Sequence, residues 1–165
     1  KNFTAGEVGH MVVKIDGPEC NCGRKGCLEA IAGKAGMIKY MKKQEEKNGL
    51  TTLLSEISPD WRTMVGSAAL KECYKKKDPL VVKAINRASE ALGIAAANII
   101  NLIGVEALIL GGGVIEEMGS AMLPKIAETA VKYSIAGGAA DVEIIVSKLG
   151  DDAVALGAAW YAAKA

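Results

Sequence analysis

Three of the four cysteines and the single histidine fall within 18 residues near the start of the chain. They stand as His10, Cys20, Cys22 and Cys27, with nine, one and four residues between them. Cys20 and Cys22 are too close to bridge each other without strain. Three thiols beside an imidazole fit a tetrahedral zinc site better than a disulfide framework. Such a cluster pins the whole stretch 10–29 into one compact loop, and Gly23 and Gly26 let it turn between ligands. Two other readings stay open on spacing alone. The metal serves only as a structural clamp, or the residues are free thiols next to a core histidine.

Glu7 and Glu29 flank the cluster. A metal-bound imidazole has its tautomer fixed, so its second nitrogen donates in a known direction. Together with two carboxylate acceptors, His10 suits a polyol such as a sugar. Taken singly, each glutamate also reads as an ordinary solvated residue.

The remainder of the chain predicts an α/β domain. At 165 residues it has the size of one domain able to bury a core. Aromatic residues make up only 4 %, so that core must come from Ala, Ile, Leu, Val and Met. A net charge of +1 points to neither nucleic acid nor a membrane surface, and Asn98, Asn101 and Glu106 interrupt the longest apolar run. No signal peptide is read. The chain opens on Lys1 without a methionine, and 5–13 already reads as domain interior, so a piece of a larger protein is expected.

Along the chain, Val8 to Ile15 reads as a strand closed by Asp16-Gly17-Pro18. Glu29 to Lys47 reads as a helix with a break near Gly33 and Gly36, and Leu50 to Pro59 as a loop with a short helical turn. Trp61 to Lys77 is expected as a helix started by Ser58-Pro59. Asp78-Pro79 marks a sharp helix start, with aspartate at the N-cap and proline at the first helical position. That helix runs to about Ile103, with Val81, Ala84, Ile85, Ala88, Leu92, Ala95, Ile99 and Ile103 as its buried stripe. Cys73 reads as a buried small apolar residue. The lysine runs at 42–43 and 75–77 read as solvated helix ends.

Glu106 to Leu110 is expected as a strand that ends in Gly111-Gly112-Gly113. A helix from Ile115 to Tyr133 follows, with Met118, Met122, Ile126 and Ala130 on one face and a kink or fresh start at Pro124. Val142 to Ser147 is a second strand, and Asp152 to Ala163 a closing helix capped by Asp151 or Asp152. Alternating strands and helices predict some parallel pairing. Glycines after a strand let a ligand approach the backbone, and the helix N-terminus behind them favours anions. The same run is also compatible with a tight turn that binds nothing.

The Glu7-Val8-Gly9-His10 element, the Cys20-x-Cys22-Gly23-x-x-Gly26-Cys27-x-Glu29 signature, Leu110-Gly111-Gly112-Gly113-Val114 and the closing Gly150-Asp151-Asp152-Ala153…Gly157-Ala158-Ala159 together resemble the ROK family. That family contains sugar kinases, glucokinases among them, and transcriptional repressors. The resemblance implies the C-terminal domain, over residues 1–165, of an actin-like (RNase H-like) ATPase fold, with a zinc loop at 10–29. It implies Glu7, His10 and Glu29 as sugar-binding residues, His10, Cys20, Cys22 and Cys27 as zinc ligands, and Gly111, Gly112 and Gly113 as lining a nucleotide pocket. The family's Asn-Asp pair, whose aspartate is the catalytic base, does not occur here, so no catalytic residue is expected within 1–165. The N-terminal domain is expected outside this chain. By the same analogy the intact protein is a cytoplasmic, ATP- and Mg²⁺-dependent hexose kinase acting on glucose, a homo-oligomer that binds no nucleic acid. The alternative is a sugar-responsive repressor whose DNA-binding module also lies upstream.

Overall fold

The computed structural model describes residues 4–164, without the side chain of Asp151. The expectations that rest on Lys1 and on Asp151 as a cap lie outside the described residues. Seven α-helices and two β-strands are formed among those described. They are α1 (Leu28–Ala32), α2 (Lys34–Asn48), α3 (Leu54–Ile57), α4 (Ser67–Lys75), α5 (Pro79–Ile103), β1 (Ala107–Leu110), α6 (Gly113–Tyr133), β2 (Glu143–Val146) and α7 (Ala153–Lys164).

The longest helix begins where its sequence signals stand. Asp78 caps α5, its Oδ1 accepting from Leu80 N at 3.0 Å and Val81 N at 2.9 Å, and Pro79 opens the first turn. Val81, Ala84, Ile85, Ala88 and Ala95 are buried, as the apolar stripe predicts, and Leu92 is partly so. The stripe stops short of its expected end: Ile103 is 68 % exposed. Ile100, packed against Ala130 and Ala139, is the last buried residue of the helix.

α6 lies along α5, and its predicted face of Met118, Met122, Ile126 and Ala130 is fully packed. Their close approach depends on Gly93. A methyl group added there would clash with the Thr129 side chain and stand 2.7 Å from the Ile126 carbonyl. Gly93→Ala is therefore expected to destabilise the protein by about 1–3 kcal/mol, despite the better helix propensity of alanine. A denaturation midpoint equal to that of the unmodified protein would contradict this packing. α6 continues through Pro124 with no break in the helix, contrary to the expected kink or restart. The carbonyl that proline leaves without a donor belongs to Ser120, which is exposed and open to water.

β1 and β2 pair in parallel, Ala107 opposite Glu143 and Leu110 opposite Val146, with α6 as the crossover. Leu108, Leu110, Ile144 and Val146 face the helices and are partly buried. Ile109 and Ile145, on the opposite face, are 66 % and 41 % exposed. α7 has no buried residue, and its Val154, Leu156, Trp160 and Tyr161 are all exposed. Among the described residues no helix is long and apolar enough to cross a membrane.

Two expected elements differ. Val8–Ile15 is not a strand: Val8–His10 forms one 3₁₀ turn, and Val12 makes only an isolated bridge to Cys27. Its backbone pairs instead with the returning metal loop, through Val13 N and Lys14 N to Gly26 O and Leu28 N to Met11 O. Among the described residues the β-branched run has no neighbouring sheet to join, and strand propensity expresses fit to such a surface. Trp61 also lies outside a helix. It is fully buried in a turn closed by Trp61 N to Ser58 O and Met64 N to Asp60 O, and its indole donates to Ser55 Oγ at 3.3 Å. α4 starts only after Gly66. The helix after the metal loop breaks at Gly33 alone, and Gly36 lies within α2. Cys73 is buried in the main core, where desolvation pushes its thiol up to about 11.

Candidate functional site

The metal-type cluster forms because a hairpin folds the cysteines back onto His10. Cys20 N donates to Arg24 O at 2.8 Å, Gly23 N to Cys20 O, and Gly26 N to Pro18 O. Gly26 sits at φ +79°, and a side chain there would drive into the Lys14 carbonyl. The result gathers one donor atom from each of His10, Cys20, Cys22 and Cys27 within 4.8 Å of one another. Cys22 Sγ and Cys27 Sγ are 3.6 Å apart, and Cys20 Sγ lies 3.7 Å from His10 Nδ1. A tetrahedron with metal–sulfur arms of about 2.3 Å has edges of about 3.8 Å. Donor chemistry and spacing thus both fit a four-coordinate metal ion, which these residues could hold. Among the described residues it is the one group of three or more such donors brought together.

The thiols are electrostatically unequal. A hydrogen bond from the Arg24 main chain, reinforced by its guanidinium, brings Cys22 down to about 6. Cys27 is fully buried, and desolvation with the neighbouring thiols pushes it up to about 11. The lowering at Cys22 favours the thiolate form that a metal ion would bind, whereas Cys27 would have to release its proton as a metal bound. The Arg24 guanidinium also donates to the His10 carbonyl at 3.2 Å, closing the loop over the 3₁₀ turn.

The two glutamates stand on either side of the imidazole. Glu29 Oε2 is 3.8 Å from His10 Nδ1, and Glu7 Oε2 is 4.0 Å from Nε2. With Nδ1 turned to the sulfurs, Nε2 is the nitrogen left on the Glu7 side. Both carboxylates are more than half exposed. They are open to a ligand's hydroxyls rather than consumed by internal bonds.

Gly111, Gly112 and Gly113 lie 82 or more residues from Glu29 in the chain, yet one cavity of about 550 Å³ is lined by all four. Gly9 and Gly33 also line it, and the apolar floor comes from Leu28, Leu92, Ile115 and Met122. The fold therefore places the glycine run and the acid next to the metal cluster in a single concavity of ligand size. Glu7 and His10 stand at its edge, joined to it through Glu29 rather than lining it.

Two residues of this site escape sequence reading. Lys34 lines the cavity from the first position of α2, where a cation opposes the helix dipole, and that placement is its only sequence signal. Glu116 turns back from the first turn of α6 to accept from Gly112 N at 3.0 Å, with Gly112 at φ +107°. The helix N-terminus expected to attract an anion thus already holds a carboxylate.

The glucokinase of Thermotoga maritima is 32 % identical over 155 residues, covering 93 % of this chain and 47 % of that protein. The xylose repressor of Caldicellulosiruptor bescii is 30 % identical over 153 residues, 93 % of this chain and 37 % of that protein. The crystal structure of a ROK family glucokinase from Streptomyces griseus, in complex with glucose and AMPPNP, superposes with a TM-score of 0.79 at 26 % identity. It covers 98 % of this chain and 52 % of that one. The chain spans less than half the length of the curated relatives it matches here. The ROK family profile extends over residues 1–165, and with the cysteine–histidine cluster and the glycine-rich cavity wall in place, the chain belongs to the ROK family.

Proposed function

We propose that these residues are the C-terminal domain of an ATP-dependent hexose kinase of actin-like fold, with glucose as its substrate. The observation that carries this reading is the shared cavity, which sets Glu29 opposite Gly111–Gly113 beside the imidazole of His10. Glu7, His10 and Glu29 hydrogen-bond the sugar hydroxyls, the carboxylates accepting and the imidazole Nε2 donating. The glycine run lets the nucleotide lie against the backbone. Zinc, held by His10, Cys20, Cys22 and Cys27, would supply a structural clamp that keeps the imidazole from turning. The base that deprotonates the sugar hydroxyl is an aspartate from outside residues 1–165, and Mg²⁺ accompanies ATP. The role of this half is positioning, which by itself contributes many orders of magnitude to such a reaction.

The intact protein is expected to phosphorylate glucose with ATP in a coupled assay, and residues 1–165 alone are expected to be inactive. Glu29→Ala in the intact protein is expected to weaken glucose binding by about 10- to 100-fold, the worth of one or two hydrogen bonds to a charged acceptor. Zinc content should stay unchanged. Turnover by the isolated domain, or glucose affinity untouched by Glu29→Ala, would overturn these roles. The xylose repressor relative supports a second reading, in which the same sugar site controls a DNA-binding module instead of a kinase. Sugar binding without any phosphorylation would select it. Both readings place the protein in the cytoplasm, and a homo-oligomer accords with either.

A further inference from the structure

A second concavity, of about 520 Å³, lies between the 14–25 hairpin, α2 and α5, and shares no residue with the cavity at the glycine run. Five basic side chains line it: Lys14 and Lys25 from the hairpin, Lys39 and Lys43 from one face of α2, and Arg87 from α5. Asp16 and Glu19 are the carboxylates on its rim. No salt bridge among the described residues includes any of the five cations or either acid. Elsewhere the surface pairs its charges freely, as in Lys71–Glu117 and Arg62–Glu45.

Arg87 is the telling member. Its guanidinium is half-buried, stacked 4.7 Å over the Tyr40 ring, and its one acceptor among the described residues is the Ile31 carbonyl at a long 3.4 Å. Burial lowers its proton affinity, and no carboxylate compensates. Glu90 lines the adjoining recess with Arg87 without pairing to it. A fixed, desolvated guanidinium with free donors facing a cavity is the preferred partner of a phosphate group. The hairpin wall is equally fixed, by Gly17 N to Lys14 O, by Gly26 N to Pro18 O and by the Glu19–Lys25 bridge. Clustered like charges repel one another until an anion neutralises them.

We propose that this basic concavity is a second ligand site, which takes a small phosphate-rich anion, either a phosphate monoester or a short oligophosphate. Arg87 and Tyr40 form its floor, and the lysines of α2 and the hairpin close around the phosphate oxygens. Because the hairpin carries Cys20 and Cys22 and leads into Cys27, occupancy would brace the cysteine loop from its other side. The site stands on its own residues and does not depend on the kinase reading.

The test is calorimetric titration of the intact, metal-replete protein with inorganic triphosphate and, separately, with glucose 6-phosphate, each with and without saturating AMPPNP. Lys39 and Lys43 are exposed, so Lys39→Ala/Lys43→Ala keeps the fold, and circular dichroism verifies that. The expected result is binding of at least one of the two anions that persists with AMPPNP and weakens at least tenfold in the double variant. Triphosphate alone binding assigns an oligophosphate, and glucose 6-phosphate alone assigns a monoester. Kinase or sugar-binding activity should survive the double variant, so loss of the proposed function and loss of this site read out separately. No binding of either anion at about 5 mM, equal affinity in the double variant, or complete displacement by AMPPNP would overturn the proposal.

Discussion

Cys27→Ser in the intact protein is expected to abolish stoichiometric zinc binding and to lower thermal stability by about 8–16 °C. Cys27 is fully buried and 3.6 Å from Cys22, so its loss removes one corner of the tetrahedron. Serine offers a hydroxyl that zinc binds poorly at neutral pH. With free zinc at about a thousand times Kd, mass action makes the site worth about 4 kcal/mol. At about 2–4 °C per kcal/mol for a protein of this size or larger, that gives the stated range. Metal analysis should fall from about one zinc per chain to none. Cys73→Ser is the control: its thiol sits in the main core, away from the cluster, so stability falls while metal content holds. Unchanged zinc in Cys27→Ser would remove the metal centre from the account.

Asp78→Ala is expected to cost about 3–7 kcal/mol. Its carboxylate, 2 % exposed, accepts four hydrogen bonds. Two cap α5, a contribution of about 1 kcal/mol. The other two come from Thr52 Oγ1 at 2.9 Å and Leu53 N at 2.7 Å, which tie the loop before α3 to the start of α5. Alanine leaves those donors inside the protein without a partner, at about 1–3 kcal/mol each. Asp78→Asn keeps an acceptor for one pair of donors but turns an amide N–H₂ on the other, so an intermediate loss of about 2 kcal/mol is expected. Chemical denaturation measures both. A loss below about 1 kcal/mol in Asp78→Ala would show that this carboxylate is a simple cap and not a tie between two segments.

Much of this architecture is legible along the chain. Asp78-Pro79 and the apolar stripe behind it placed α5 because capping and 3.6-residue periodicity are local rules. The four metal donors stood out because histidine and cysteine are rare here and their side chains have few alternative uses in such spacing. Trp61 misled because its neighbours carry helical spacing while Gly66 and the Asp60 turn decide where α4 starts. Val8–Ile15 misled because a β-branched run reports only a readiness to pair, and its actual partner is the loop ending at Cys27.

Local sequence specifies the chemical groups and the elements that carry them: four candidate metal donors, two acids, a glycine run after a strand, and the long capped helix. Which of these groups meet is a property of the packed chain. It brought Glu29 to the glycine run, set Glu116 at the turn where an anion was expected, recruited Lys34, and gathered five cations that form no salt bridge among the described residues around Tyr40. Capping, periodicity and ligand spacing act within a few residues, whereas a cavity is made by segments that meet only when the α5–α6 core packs, and no local pattern encodes that meeting.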